Sequence, residues 1–132
     1  MNGHYSRIGG LAAFVIATSA MCFSDGSLLQ HAPPKTSERR NPYVNEEAAR
    51  RAGAKLFRRE CASCHGKLGE GIGHAPPLVS PLLRGSSPGA IFWVLRNGRV
   101  FRGMPSFSHL PEAQRWQIVT FLLSGGLIGA RR

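Results

Sequence analysis

Few cysteines, few acidic residues and no long apolar run limit what this chain can be. Its 132 residues include 3 cysteines, so no framework of several disulfides can hold it together. Its 7 acidic residues face 17 lysines and arginines, a net charge of +10 that favours acidic partners. The basic residues are scattered and are not gathered with aromatic stacking residues, so no nucleic-acid partner is predicted.

The N-terminus has the form of a secretory signal, which we place at residues 1–24. Arg7 precedes an interrupted apolar run from Ile8 to Phe23, and this run is shorter than the roughly 20 residues of a membrane-spanning helix. We therefore expect a periplasmic protein. An uncleaved anchor, or a lipid on Cys22 despite the bulky Met21 before it, would be the two routes to membrane contact.

Composition divides the rest of the chain into three parts. Residues 25–41 are rich in Ser, Pro and charge and are predicted to be a disordered linker. Residues 42–126 are predicted to form the domain, and residues 127–132 a basic tail. A domain of this size buries little core and often depends on a cofactor or another covalent support.

Three amphipathic segments predict helices, so the fold class is small all-α. The first begins after an N-cap at Asn45 and ends at Cys61, with apolar residues recurring at intervals of three and four. The second starts at Ser87-Pro88 and stops at Asn97-Gly98, and the third runs from Pro111-Glu112 to Ser124. Between the first two helices, five glycines and three prolines in 20 residues exclude long regular structure.

The motif Cys61-Ala62-Ser63-Cys64-His65 allows three interpretations. A structural zinc site needs four ligands, and no second cysteine pair exists. A thioredoxin-like pair needs its first cysteine at a helix N-terminus, whereas Cys61 is predicted at a C-terminus. The third interpretation, covalent attachment of a c-type haem, suits the spacing, because two thiols can reach two vinyl groups while the adjacent imidazole binds iron. Export agrees with this interpretation.

A haem bound by His65 raises the question of the second axial position. Met104 lies in a loop that Gly103 and Pro105 stiffen, between the second and third predicted helices. His74 and His109 are the other candidates. We predict Met104 as the second ligand, which would make the protein an electron carrier.

These features together resemble the monohaem class I cytochromes c of the short bacterial type. The resemblance rests on Gly53-x-x-x-Phe57-x-x-x-Cys61-x-x-Cys64-His65, on the Pro76-Pro77-Leu78 loop, on Gly103-Met104-Pro105 and on the last helix. It implies a fold of three main helices and Gly/Pro-rich loops around one covalent haem c. Only 39 positions separate His65 from Met104, so the long loop of mitochondrial relatives is missing.

The resemblance also implies roles for particular residues. Gly53 would be the contact point of the first and last helices, with Phe57, Ile118 and Phe121 around it. The carbonyl of Pro76 would accept a hydrogen bond from His65. Apolar side chains would cover the haem, namely Leu78, Leu82, Leu83, Ile91, Trp93 and Val94. Candidates for the haem propionates are Arg84, Arg99, Arg102 and Trp93.

The functional hypothesis is a periplasmic one-electron carrier that is not an enzyme. Redox proteins with acidic docking surfaces would be its partners, and we expect a basic collar beside the cysteines, made of Lys55, Arg58, Arg59 and Lys67. The alternatives are a haem enzyme or a gas or peroxide sensor from which Met104 dissociates, or a tethered subunit of a larger redox complex.

Overall fold

The computed structural model describes residues 27–129, and the regular secondary structure of these residues is helical. In chain order the helices are α1 (Ser27–Gln30), α2 (Pro34–Ser37), α3 (Glu47–Glu60), α4 (Ala62–His65), α5 (Pro81–Gly85), α6 (Pro88–Asn97), α7 (Glu112–Leu123) and α8 (Gly126–Gly129). A 3₁₀ turn, Val100–Arg102, lies between α6 and α7. In place of strands, this part of the chain has a single isolated β-bridge, between Arg99 and Met104. The prediction of a small all-α fold is confirmed.

The ends of the three main helices follow the local sequence, with one exception. The Ser87 hydroxyl accepts a hydrogen bond from the Ala90 amide, 3.2 Å away, and Pro88 occupies the first turn of α6 as predicted. The predicted N-cap at Asn45 is wrong. Asn45 adopts a left-handed backbone (φ 64°), and Glu46 takes the N-cap position of α3 without a side-chain cap.

Helices α3 and α7 cross at close range and form the centre of the fold. A Cβ atom added to Gly53 would stand 2.0 Å from the carbonyl oxygen of Gln117, so the two backbones touch. Around this point Phe57 packs on Phe121 with ring centroids 5.4 Å apart, and Ile118 is fully buried. The contact that the resemblance implied is present.

Helix α6 completes the core on the other side of α7. Phe92 stacks on Trp116 with ring centroids 4.2 Å apart and an interplanar angle of 20°. Both side chains are almost completely buried. The stack fixes α6 against α7 through a large apolar area.

Residues 27–41 differ from the disordered linker that their composition predicted. The Arg39 guanidinium lies 4.7 Å from the centroid of the Phe92 ring and pairs with Glu112 at 2.5 Å. Asn41 is buried and donates a 2.8 Å hydrogen bond to the Thr120 hydroxyl. The segment packs because these polar and cation–π contacts, together with the apolar contacts of Leu29 and the buried Ala32, replace the apolar period that it lacks.

The two predicted terminal segments, the signal and the basic tail, lie largely outside the residues that the structure describes. The signal at 1–24 and residues 130–132 lie outside the described residues. Leu127, assigned to the basic tail, is instead buried in the core. Within residues 27–129, no helix combines the length and apolar character needed to cross a bilayer.

The crossing of α3 and α7 predicts a strong effect of a single methyl group. Gly53→Ala would push a side chain into the backbone of α7, so we expect the free energy of unfolding to fall by about 3 kcal/mol. Denaturant unfolding of the cofactor-loaded protein measures it. Gly85→Ala is the matched control, because no atom lies within 4 Å of a Cβ added to Gly85. Equal stabilities of the two variants would contradict the close crossing.

Candidate functional site

The cysteine motif forms one further helical turn after α3. Cys61 is the C-terminal cap of α3, and the amides of Cys64 and His65 both donate to its carbonyl oxygen, at 3.1 and 2.9 Å. Positions 61, 64 and 65 therefore share one side of the turn. Cys61 is buried and Cys64 is exposed, and neither forms a disulfide.

The Gly/Pro-rich loop after the motif folds back over His65. The Gly71 amide donates to the His65 carbonyl at 2.8 Å, and the Leu78 amide donates to the Gly69 carbonyl at 2.8 Å. The Pro76 carbonyl oxygen lies 2.9 Å from His65 Nδ1, which must be the donor because a carbonyl can only accept. The contact expected from the resemblance is present, and it leaves Nε2 as the ring nitrogen that can bind another group.

One cavity of about 640 Å³ lies against this turn. Cys61, Cys64, His65 and Met104 all line it, although Met104 is 39 positions beyond His65. Most of the remaining wall is apolar, contributed by Leu78, Leu83, Ile91, Val94, Leu95 and Phe107. Its volume is in the range of small-molecule and cofactor sites.

The donor set of this cavity fits a c-type haem. Two thiols suit covalent attachment, an oriented imidazole suits one axial bond, and a thioether suits a second one. Met104 is half-buried and is held by a pair of backbone hydrogen bonds with Arg99, at 2.7 and 3.1 Å. These two backbone hydrogen bonds therefore close the loop that carries the Met104 thioether.

Some residues predicted for the site lie elsewhere. Trp93 is half-buried and Leu82 is exposed, and neither lines the cavity, because Ile91, Val94 and Leu95 present the inner face of α6. This placement is contrary to the expected cofactor contact of Trp93.

Of the charged and histidine candidates, some line the cavity and others do not. Arg99 and Arg102 line the cavity, whereas Arg84 does not and instead donates to the Val79 carbonyl at 3.4 Å. His74 also lines the cavity but is exposed, and His109 does not line it. The structure thus brings Met104 and His74 to the cavity together.

A buried arginine behind the Met104 loop escaped the sequence analysis. Arg115 Nη1 donates to the carbonyl oxygens of Phe107, Ser108 and Leu110, at 3.3, 3.1 and 2.5 Å. Its guanidinium also lies 5.1 Å from the Phe92 ring centroid. The only available signal was a charged residue just before the apolar run of α7, a common feature of a solvated helix face.

Leu29 was also missed, because it falls in the predicted linker. It lines the cavity, and it packs against the core cluster. The first helix of the described chain therefore contributes to the site wall.

The environment of Cys61 disagrees with a thioredoxin-like pair. Burial, with smaller effects from Glu60 and Cys64, raises the pKa of the free Cys61 thiol to about 12. A redox-active pair needs a lowered thiol pKa. Among the described residues, no three His, Cys, Asp or Glu side chains come together as a metal site, whereas a structural zinc site needs four ligands.

The His65–Pro76 contact predicts different effects for two neighbouring glycines. Gly71 and Gly73 both have left-handed backbones (φ 83° and 58°), but only a Cβ at Gly71 would meet other atoms, 2.7 Å from the Ala75 carbonyl oxygen. Gly71→Ala should move the 75–77 segment and weaken the hydrogen bond, whereas Gly73→Ala should cost only the conformational strain, about 1 kcal/mol. Proton NMR of the cofactor-loaded protein should show faster solvent exchange at His65 Nδ1 in Gly71→Ala alone. Equal exchange in both variants would contradict this account of the loop.

Comparison with known proteins agrees with this geometry. Residues 48–122, more than half of the chain, match the family model described as cytochrome c oxidase, cbb3-type, subunit III. The fold is similar to that of cytochrome cL from the marine methylotrophic bacterium Methylophaga aminisulfidivorans, with a TM-score of 0.53 and 24% sequence identity over 63% of this chain. The match spans 57% of that protein's length. Because the sequence identity is only 24%, the likeness shows the fold alone. No curated protein matches the sequence.

The family match covers most of α3, the cysteine motif, the Met104 loop and most of α7. Domains of this kind carry covalently bound haem c and generally transfer electrons. The chain belongs to this family of cytochrome c domains.

Proposed function

We propose that the protein is a periplasmic one-electron carrier in which Cys61 and Cys64 would hold one c-type haem covalently and His65 and Met104 would bind its iron. The observation that carries the proposal is the meeting of these four side chains at one largely apolar cavity. When bound, the haem supplies one-electron chemistry at its iron. The signal-like sequence of residues 1–24 supports export. Export also suits a c-type haem, which is attached outside the cytoplasm.

The residues around the cavity would mainly hold the haem and keep water away from it. Hydrogen bonding to the Pro76 carbonyl fixes the tautomer and the orientation of the His65 ring and makes Nε2 a better ligand. Leu83, Ile91 and Leu95 are buried and exclude water from the cavity wall. A dry pocket and a thioether ligand both favour the reduced state, so we expect a higher reduction potential than that of a bis-histidine site.

Substitution of Met104 tests the axial ligand. In the oxidised parent we expect the weak charge-transfer band of iron bound to methionine sulfur. In Met104→Ala this band should vanish, the reduction potential should fall, and carbon monoxide should bind the reduced protein rapidly. Absorption spectra and potentiometry measure all three.

His74→Ala is the matched control, because His74 lines the same cavity and is the alternative ligand. It should leave the band and the potential unchanged. A parent that lacks the band and already binds carbon monoxide rapidly would favour a haem enzyme or gas sensor over a carrier.

The partners of the carrier are proposed to be redox proteins with acidic docking surfaces. Lys55, Arg58, Arg59 and Lys67 are exposed and flank the cysteine motif in the chain, although Arg59 pairs with Glu60 at 2.5 Å. A basic surface of this kind raises the encounter rate with an acidic partner.

Charge reversal tests this collar. Arg58→Glu combined with Lys67→Glu should slow electron transfer to an acidic acceptor at least tenfold at low salt and flatten its salt dependence, because steering is lost. Stopped-flow kinetics over a range of ionic strength measures the effect. Arg50→Glu is the control reversal at the opposite end of α3. An unchanged rate in the double variant would remove the collar from the proposal.

A further inference from the structure

The 3₁₀ turn Val100–Arg102 exposes two adjacent apolar side chains. Phe101 is fully exposed, at 105% of its reference area, and Val100 is exposed at 69%. No other large apolar side chain among the described core and loop residues is as exposed as Phe101. A single exposed apolar residue is common, but two neighbours at the tip of one turn mark a candidate contact surface.

The turn is an ordered projection of the cavity wall. The Arg102 amide donates to the Arg99 carbonyl at 2.8 Å, and the Gly103 amide donates to the Val100 carbonyl at 3.0 Å. Together with the Arg99–Met104 bridge, these bonds close the turn. Arg99, Arg102 and Met104 line the cavity on its inner side, so Phe101 stands at its outer tip.

The stretch of chain that carries this tip is positively charged. Residues 71–111 contain no Asp or Glu but four arginines, and one of them, Arg102, is exposed directly beside Phe101. A complementary surface would have to be acidic. A large aromatic side chain that enters an apolar recess, with charges around it, is the usual form of a binding hot spot.

Given the proposed function, we propose that Phe101 is the apolar anchor by which this protein docks a redox protein whose docking face has a small apolar recess surrounded by carboxylates. Docking there brings the partner next to the cavity wall that carries Met104, a short route to a redox group inside it. A membrane surface is the less suitable occupant, because one Phe and one Val bury little area in a bilayer and a lipid seated there would cover the wall. The anchor adds specificity that basic residues alone do not give.

The test uses the cofactor-loaded protein on gold electrodes whose surfaces imitate the proposed partner, with carboxylates alone or with carboxylates and apolar groups together. One electrode carries a mixed monolayer of carboxylate- and methyl-terminated thiols, and the other carries carboxylate-terminated thiols alone. Phe101→Ser should lower the electron-transfer rate about tenfold on the mixed monolayer and much less on the pure carboxylate one. Phe101→Leu should retain most of the parent rate. Val44→Ser, which removes another exposed apolar side chain away from the cavity, should leave it unchanged.

The other outcomes decide against the proposal. Equal rates for Phe101→Ser and the parent on the mixed monolayer overturn it, and so does a changed reduction potential in Phe101→Ser, which would make Phe101 a structural residue. Sedimentation with vesicles of phosphatidylglycerol and phosphatidylcholine in equal parts overturns it if the parent binds and Phe101→Ser does not, because the tip would then bind membranes. A parent with no reversible one-electron response on either electrode overturns the proposed function itself, and the anchor with it.

Discussion

Contact between the backbones of α3 and α7 is the constraint on which the rest of the structure depends. Gly53 and Gln117 meet without an intervening side chain, and this closeness lets Phe57, Ile118 and Phe121 pack around one point. Because the cysteine turn continues directly from α3, the position of α3 on α7 also sets the position of Cys61. The apolar crossing of the two helices thus directs Cys61, Cys64 and His65 toward the cavity.

Backbone hydrogen bonds hold the loop of residues 66–80 in place, although it contains no helix or strand. Backbone hydrogen bonds at His65, Gly69 and Leu78 fold it back on itself, and left-handed glycines allow the reversals. The result is a carbonyl group fixed at the imidazole of His65. Such a loop satisfies its own polar groups while it forms one wall of an apolar cavity.

Sequence patterns predicted the parts of the structure that local chemistry determines. Helical periodicity, the Ser87-Pro88 start and the Cys61–His65 spacing depend on neighbouring residues, so the order of amino acids is enough to predict them. The distant pairing of His65 with Met104 followed from the demand of a haem for a second ligand, and both residues do line one cavity. Which side of α6 faces that cavity depends on its packing on α7, and for this reason Trp93 was misplaced.

Other features could not be predicted because they arise only from tertiary contacts. Arg39 orders the N-terminal segment through Phe92 and Glu112, residues more than 50 positions away in the chain. Arg115 resembles any solvated helical arginine in the sequence, yet it is buried behind carbonyl groups of a loop. The exposure of Phe101 is equally invisible in the sequence, where a Val-Phe pair would be assigned to the core.

The burial of Arg115 has an electrostatic consequence for the cavity. Its guanidinium donates a hydrogen bond to the backbone carbonyl of Phe107, whose side chain lines the cavity. Its hydrogen bonds go to neutral carbonyl groups, and the Glu112 carboxylate interacts with it through charge alone: hydrogen bonding to Arg39 lowers the pKa of Glu112, and the charge of Arg115 contributes a smaller part. In a medium of low dielectric constant, such a fixed cation opposes the removal of an electron from any redox group behind the same wall. With the proposed haem in the cavity, the residue that holds this loop from behind would also favour the reduced state.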